Sequence, residues 1–87
     1  MRTAAADAFE SWLAVLEQRF TTAGMTAECA RDVAVEVFCL IEGAVLLSRT
    51  TRSSVPMHTA GRAAANAVAA GLAASRKNVK RGENGAS

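Results

Sequence analysis

Apolar side chains recur at helical spacing in three successive stretches, and each predicts a helix. In the first, Phe9, Leu13, Leu16 and Phe20 are spaced by 4, 3 and 4, with Trp12 and Val15 widening the same face. Glu10, Glu17 and Gln18 occupy the other side, so an amphipathic helix is expected from about Ala5 to Thr22. Asp7 suits the positive end of its dipole, and Gly24 is the expected left-handed residue just past its end. The second stretch, about 27–51, opens on Thr26 as N-cap with Glu28 in the first turn. Cys29 stands where a full capping box has Glu or Gln. Ser54 caps the third, about 55–75, and Pro56 falls in its first turn, where a missing N–H costs nothing. Its inner face reads Met57, Ala60, Ala64, Val68, Gly71 and Leu72; Thr59, Arg62 and Asn66 lie outward.

The central helix is out of proportion to the rest. Between Val33 and Leu47 only Glu36, Glu42 and Gly43 interrupt fifteen otherwise apolar positions. One side collects Val33, Val37, Leu40, Ile41, Ala44 and Leu47; the other collects Val35, Phe38, Cys39, Glu42, Leu46 and Arg49. A surface helix carries one apolar stripe about 100° wide, so a helix apolar on two sides needs cover on two sides. The remaining chain is too short to supply both. Self-association supplies the rest, because an exposed face of Leu, Val and Ile is otherwise an aggregation liability. The expected contact set is Val37, Ile41, Gly43, Ala44 and Leu47 with Ala60, Ala64 and Val68, forming a four-helix bundle from two copies. Gly43 costs roughly 1 kcal/mol against alanine in a helix interior, and close approach of another backbone is the usual compensation. On bulk, Phe38 and Leu46 should face the first helix, opposite Trp12 and Phe20.

Composition agrees with an all-α chain of one small domain. Alanine dominates, proline occurs once and tyrosine is absent among 87 residues. The architecture expected is three antiparallel helices over residues 1–75, then a disordered basic tail, 76–87, without periodicity. The net charge of +2 belongs to that tail. Removing Arg76, Lys77, Lys80, Arg81 and Glu83 leaves six basic and seven acidic side chains, a net of −1. No basic stripe follows a phosphate backbone, so no direct nucleic-acid contact is expected. Cys29 and Cys39, ten residues apart on one helix, are separated by ~15 Å along its axis and cannot form an internal disulfide. The N-terminus lacks a signal-peptide h-region, and the central apolar run is too short and too acidic for a membrane span. A reducing cytoplasm is the simplest setting.

Little here could carry chemistry. There is no glycine-rich phosphate loop, no metal-ligand spacing and no nucleophile–base set, so neither catalysis nor a cofactor is expected. His58, the single imidazole, reads as an exposed or capping residue, and the cysteines read as small hydrophobes. Glu42 stands apart, because a carboxylate among Phe38, Val45 and Leu46 needs a partner. That partner is an arginine, Arg49 or one from another helix, or else the polar part of a ligand. Trp12, Leu16, Phe20 and Phe38 form the aromatic-rich group where a helical domain would hold a small apolar ligand.

Taken together, Phe9-Glu-Ser-Trp-Leu-Ala-Val-Leu-Glu-Gln-Arg-Phe20, Ala-Gly-Met-Thr-Ala-Glu28, Phe38-Cys-Leu-Ile-Glu-Gly-Ala-Val-Leu-Leu-Ser-Arg49 and Val55-Pro-Met57 form a familiar pattern. It resembles the C-terminal part of TetR-family transcriptional regulators, specifically the LmrA/YxaF-like group, over about residues 5–74. Residues 41–49 carry the most specific portion. The resemblance implies a repressor's homodimerisation and effector-binding region. Residues 27–51 and 55–75 would be the dimerisation pair. A small lipophilic effector would sit among Trp12, Leu16, Phe20, Phe38 and Glu42. The family's N-terminal helix-turn-helix domain, which binds operator DNA, has no counterpart in these helices. A small helical interaction module that binds a partner protein through the same face, without a ligand, is the alternative expectation.

Overall fold

The computed structural model describes residues 4–86. They form α1 (Ala4–Ala23), α2 (Ala27–Thr51) and α3 (Val55–Ala86), with no strand among the described residues. The two connections are set by local chemistry. At the first, Gly24 has φ +121°, its N–H donates to the Thr21 carbonyl at 3.1 Å, and the Met25 N–H donates to the Phe20 carbonyl at 3.0 Å. Those two bonds make a Schellman motif, which satisfies carbonyls the helix end would otherwise leave open. Thr26 then caps α2, its side chain accepting from the Cys29 N–H at 3.2 Å. At the second connection the left-handed residue is Arg52, φ 53°, with no glycine to relieve it. Ser54 precedes α3 as expected and its carbonyl accepts from the His58 N–H at 3.2 Å, but the side-chain contact is made by Ser53, whose hydroxyl accepts from the Val55 N–H at 3.1 Å.

α2 lies in the middle, packed on both neighbours, while α1 and α3 touch each other only weakly. The Cα envelope measures 56 × 35 × 17 Å. With α1 and α3 barely touching, α2 is the element that joins the other two. The core sits at the end where the three helices converge. Met25, Ala30, Val33 and Val37 are buried there, with Leu16 and Phe20 from one side and Ala64, Ala67, Val68 and Leu72 from the other. Burying a side chain such as Met25 or Val33 contributes about 1.5–3 kcal/mol.

Glycine plays its close-approach role in α3 rather than α2. A Cβ on Gly71 would stand 2.9 Å from Val33 Cγ2 and 3.0 Å from Met25 Cε, whereas nothing lies within 4 Å of one on Gly43. Ser75 completes this seam: it is 1% exposed, and its hydroxyl oxygen accepts from the Thr26 N–H at 3.1 Å. Beyond Ser75 the helical backbone continues to Ala86, where an irregular tail is expected from sequence. Residues 76–81 include strong helix formers and no proline, so a helix nucleated and packed upstream propagates through them. The sequence pattern loses its periodicity there because this extension has no apolar face to pack.

Candidate functional site

Two grooves run along the half of α2 that the core leaves bare. The first, of about 370 Å³, lies between α1 and α2 and is lined by Phe9, Leu13, Val35, Phe38, Cys39 and Glu42. Phe9 and Phe38 hold it at one point, their ring centroids 5.3 Å apart and the planes at 77°. That edge-to-face geometry is favourable beyond the area it buries. The second, of about 450 Å³, lies between α2 and α3 and is lined by small and apolar residues, among them Cys39, Leu40, Gly43, Leu47, Val55 and Ala63.

The expected ligand set divides. Phe38 and Glu42 line the α1–α2 groove. Leu16 and Phe20 pack against the Met25–Val33 core at the other end. Trp12 is 63% exposed on the outside of α1 and Leu46 67% exposed on α2, so bulk matching does not put either inward. The reason is the roll of α1, which turns its Leu13–Leu16–Phe20 edge toward α2 and leaves Trp12 and Val15 on its free flank. Cys39, expected to be a small buried hydrophobe, is exposed between the two grooves; Cys29 is half-buried, its thiol donating to the Gly71 carbonyl at 3.4 Å.

The expected dimer set divides as well. Val37, Ala44 and Ala60 are buried inside the single chain, and Ala64 and Val68 pack against its core. Ala44 and Ala60, though buried within one chain, also line the α2–α3 groove. Ile41 and Leu47 are 44% and 54% exposed, and Gly43 faces open space. Leu46 and Val55, outside the expected set, are bare too.

Glu42 finds no arginine: no ion pair reaches it among the described residues. The arginine that does cross between helices is Arg31. Its guanidinium donates to Glu10 at 3.2 and 3.4 Å and to Glu17 at 3.2 Å, bridging two carboxylates two turns apart on α1. The hydrogen bond to Glu10, then that to Glu17, pushes its pKa up from an already high value, so it stays charged at any working pH. This pair is surface-exposed and fixes orientation more than stability. The signal in sequence is the Glu10/Glu17 spacing on one edge of α1, which asks for a cation opposite. Gly71 stands on the inner face where the spacing puts it, whereas nothing in the sequence marks Ser75, whose role depends on which residues α3 meets. His58 is exposed, and the described residues contain no group of His, Cys, Asp and Glu side chains able to hold a metal ion. None of the described helices is long and apolar enough to cross a membrane.

Comparison with known proteins fits this architecture. Residues 1–63 match the family described as "Transcriptional regulator LmrA/YxaF-like, C-terminal domain". The chain is 32% identical over 57 residues to the HTH-type transcriptional regulator LmrA of Bacillus subtilis (strain 168). That alignment covers 66% of this chain and 30% of the relative, so the chain spans under a third of the protein it matches. No solved structure matches. With most of its length inside the family's bounds, this chain belongs to the LmrA/YxaF-like C-terminal domains of TetR-type transcriptional regulators.

Proposed function

We propose that this chain is the dimerisation and small-molecule effector-binding region of a TetR-like repressor. It acts without enzymatic activity, in the cytoplasm, and reaches operator DNA only through a helix-turn-helix domain outside these residues. The observation that carries the reading is surface that one copy leaves uncovered. The chain exposes 6410 Å², whereas a compact monomer of 9.0 kDa exposes roughly 4,900 Å². Part of that uncovered surface lies on the bare half of α2, where Ile41, Leu46 and Leu47 stand 44%, 67% and 54% exposed.

The α2–α3 groove is the part of that surface best suited to a second copy. Gly43 leaves room there for another backbone, and Leu47 and Val55 flank it with exposed apolar area. Sedimentation equilibrium at micromolar concentration tests the reading, with a dimer expected. Leu47→Glu should give a folded monomer with unchanged helical circular dichroism. A wild-type chain that sediments as a well-behaved monomer would falsify the dimer. Ala44→Glu is a poor probe, because Ala44 is 4% exposed within one chain and its substitution would damage the fold itself.

A further inference from the structure

Building on the effector-binding reading, we propose that the α1–α2 groove takes an amphipathic monocation, an apolar body bearing one positive charge. The groove is built for such a shape and sign. Its volume, about 370 Å³, is at the low end of the ~300–1,000 Å³ typical of small-molecule sites. Phe9, Leu13, Val35 and Phe38 supply apolar wall, and Cys39 adds a polarisable sulfur. Glu42 is the one charged side chain on the lining. Among the described residues no ion pair reaches it, and Arg31, three turns earlier on the same helix, is bound to Glu10 and Glu17.

Charge complementarity decides the class of occupant. An anion would meet the Glu42 carboxylate with no lysine or arginine on the lining to offset it. Aromatic faces carry negative potential, so a cation seated over a phenylalanine face is favoured where an anion is not. A neutral ligand would gain only the burial of its apolar area. Glu42 is exposed to water, so its attraction is that of an exposed pair, worth up to about a fivefold change in affinity for either ion.

Tetraphenylphosphonium and tetraphenylborate share one shape and carry opposite charge, which isolates the sign. Isothermal titration of the intact chain with each, in wild type, Glu42→Gln and Phe38→Ala, tests the proposal. The cation should bind more tightly than the anion. Glu42→Gln should narrow that preference about threefold to tenfold, and Phe38→Ala should weaken both ions. Leu47→Ala, in the other groove, should leave the preference unchanged. Equal binding of the two ions by wild type, or a preference untouched by Glu42→Gln, overturns the monocation while Phe38-dependent binding keeps the effector reading alive. Absence of binding by either ion overturns both.

Discussion

The two halves of α2 are both rich in apolar residues and opposite in fate. From Ala30 to Val37 the helix buries Ala30, Val33, Ala34 and Val37 between α1 and α3. From Ile41 to Leu47 it is no less apolar, yet Ile41, Leu46 and Leu47 stand exposed and Ala44 alone is buried. The difference is a matter of available cover. α1 has 20 residues against 25 in α2 and runs antiparallel from the Gly24 turn, so its Phe9 is already level with Phe38 and little of it reaches further. Beyond that point α2 has α3 on one side and solvent on the other. Hydrophobicity says a surface must be covered; chain length and topology say whether the same chain does it.

The largest test of this contrast is truncation at each end. Met25→Ala, at the closed end, removes a side chain that is 3% exposed and should cost about 2–5 kcal/mol in denaturant unfolding. Leu46→Ala, at the open end, should change the stability of the monomeric Leu47→Glu background by less than about 0.5 kcal/mol. Comparable losses at the two sites would mean that the open half of α2 is covered within the chain.

A subtler test uses the two glycines. Gly71→Ala forces a Cβ to within 2.9 Å of Val33 Cγ2 and should destabilise by about 1–3 kcal/mol. Gly43→Ala meets nothing within 4 Å and should stabilise the same monomeric background by about 0.5–1 kcal/mol through helix propensity. In the otherwise wild-type chain it should also raise the dimer dissociation constant, read by sedimentation. A substitution that left dimerisation untouched would take Gly43 out of the interface.

The smallest effect concerns the turn at the open end. Arg52 holds a left-handed conformation, φ 53°, that costs a non-glycine residue about 1 kcal/mol. Arg52→Gly should recover up to that amount, visible as a rise in the thermal midpoint at fixed protein concentration. A loss instead would show that the Arg52 side chain contributes something its backbone conformation hides.

Much of the fold was legible because it rests on local rules. Thr26 as N-cap, Gly24 as the left-handed residue and the three apolar repeats each depend on neighbours within a turn or two, and each stands where the spacing puts it. The Arg31 bridge was half-legible, in the spacing of Glu10 and Glu17, but its cation sits on another helix. The candidate sites were less legible. Trp12 and Phe20 belong to one aromatic group in sequence, but the roll of α1 puts Phe20 against the core and Trp12 in solvent.

The sequence by itself determined the three helices, the Gly24 and Thr26 caps, the surplus of apolar surface on α2 and membership in a regulator family. These follow from propensity, periodicity and composition, which act over a few residues or over the whole chain at once. The tertiary structure alone decided which side of α2 the chain covers. It put the tight glycine contact at Gly71 and left Gly43 open, and it tied Ser75 to the start of α2. Those outcomes depend on where α1 ends and how each helix is rolled about its axis. Such quantities come from packing many side chains together, and no single residue records them.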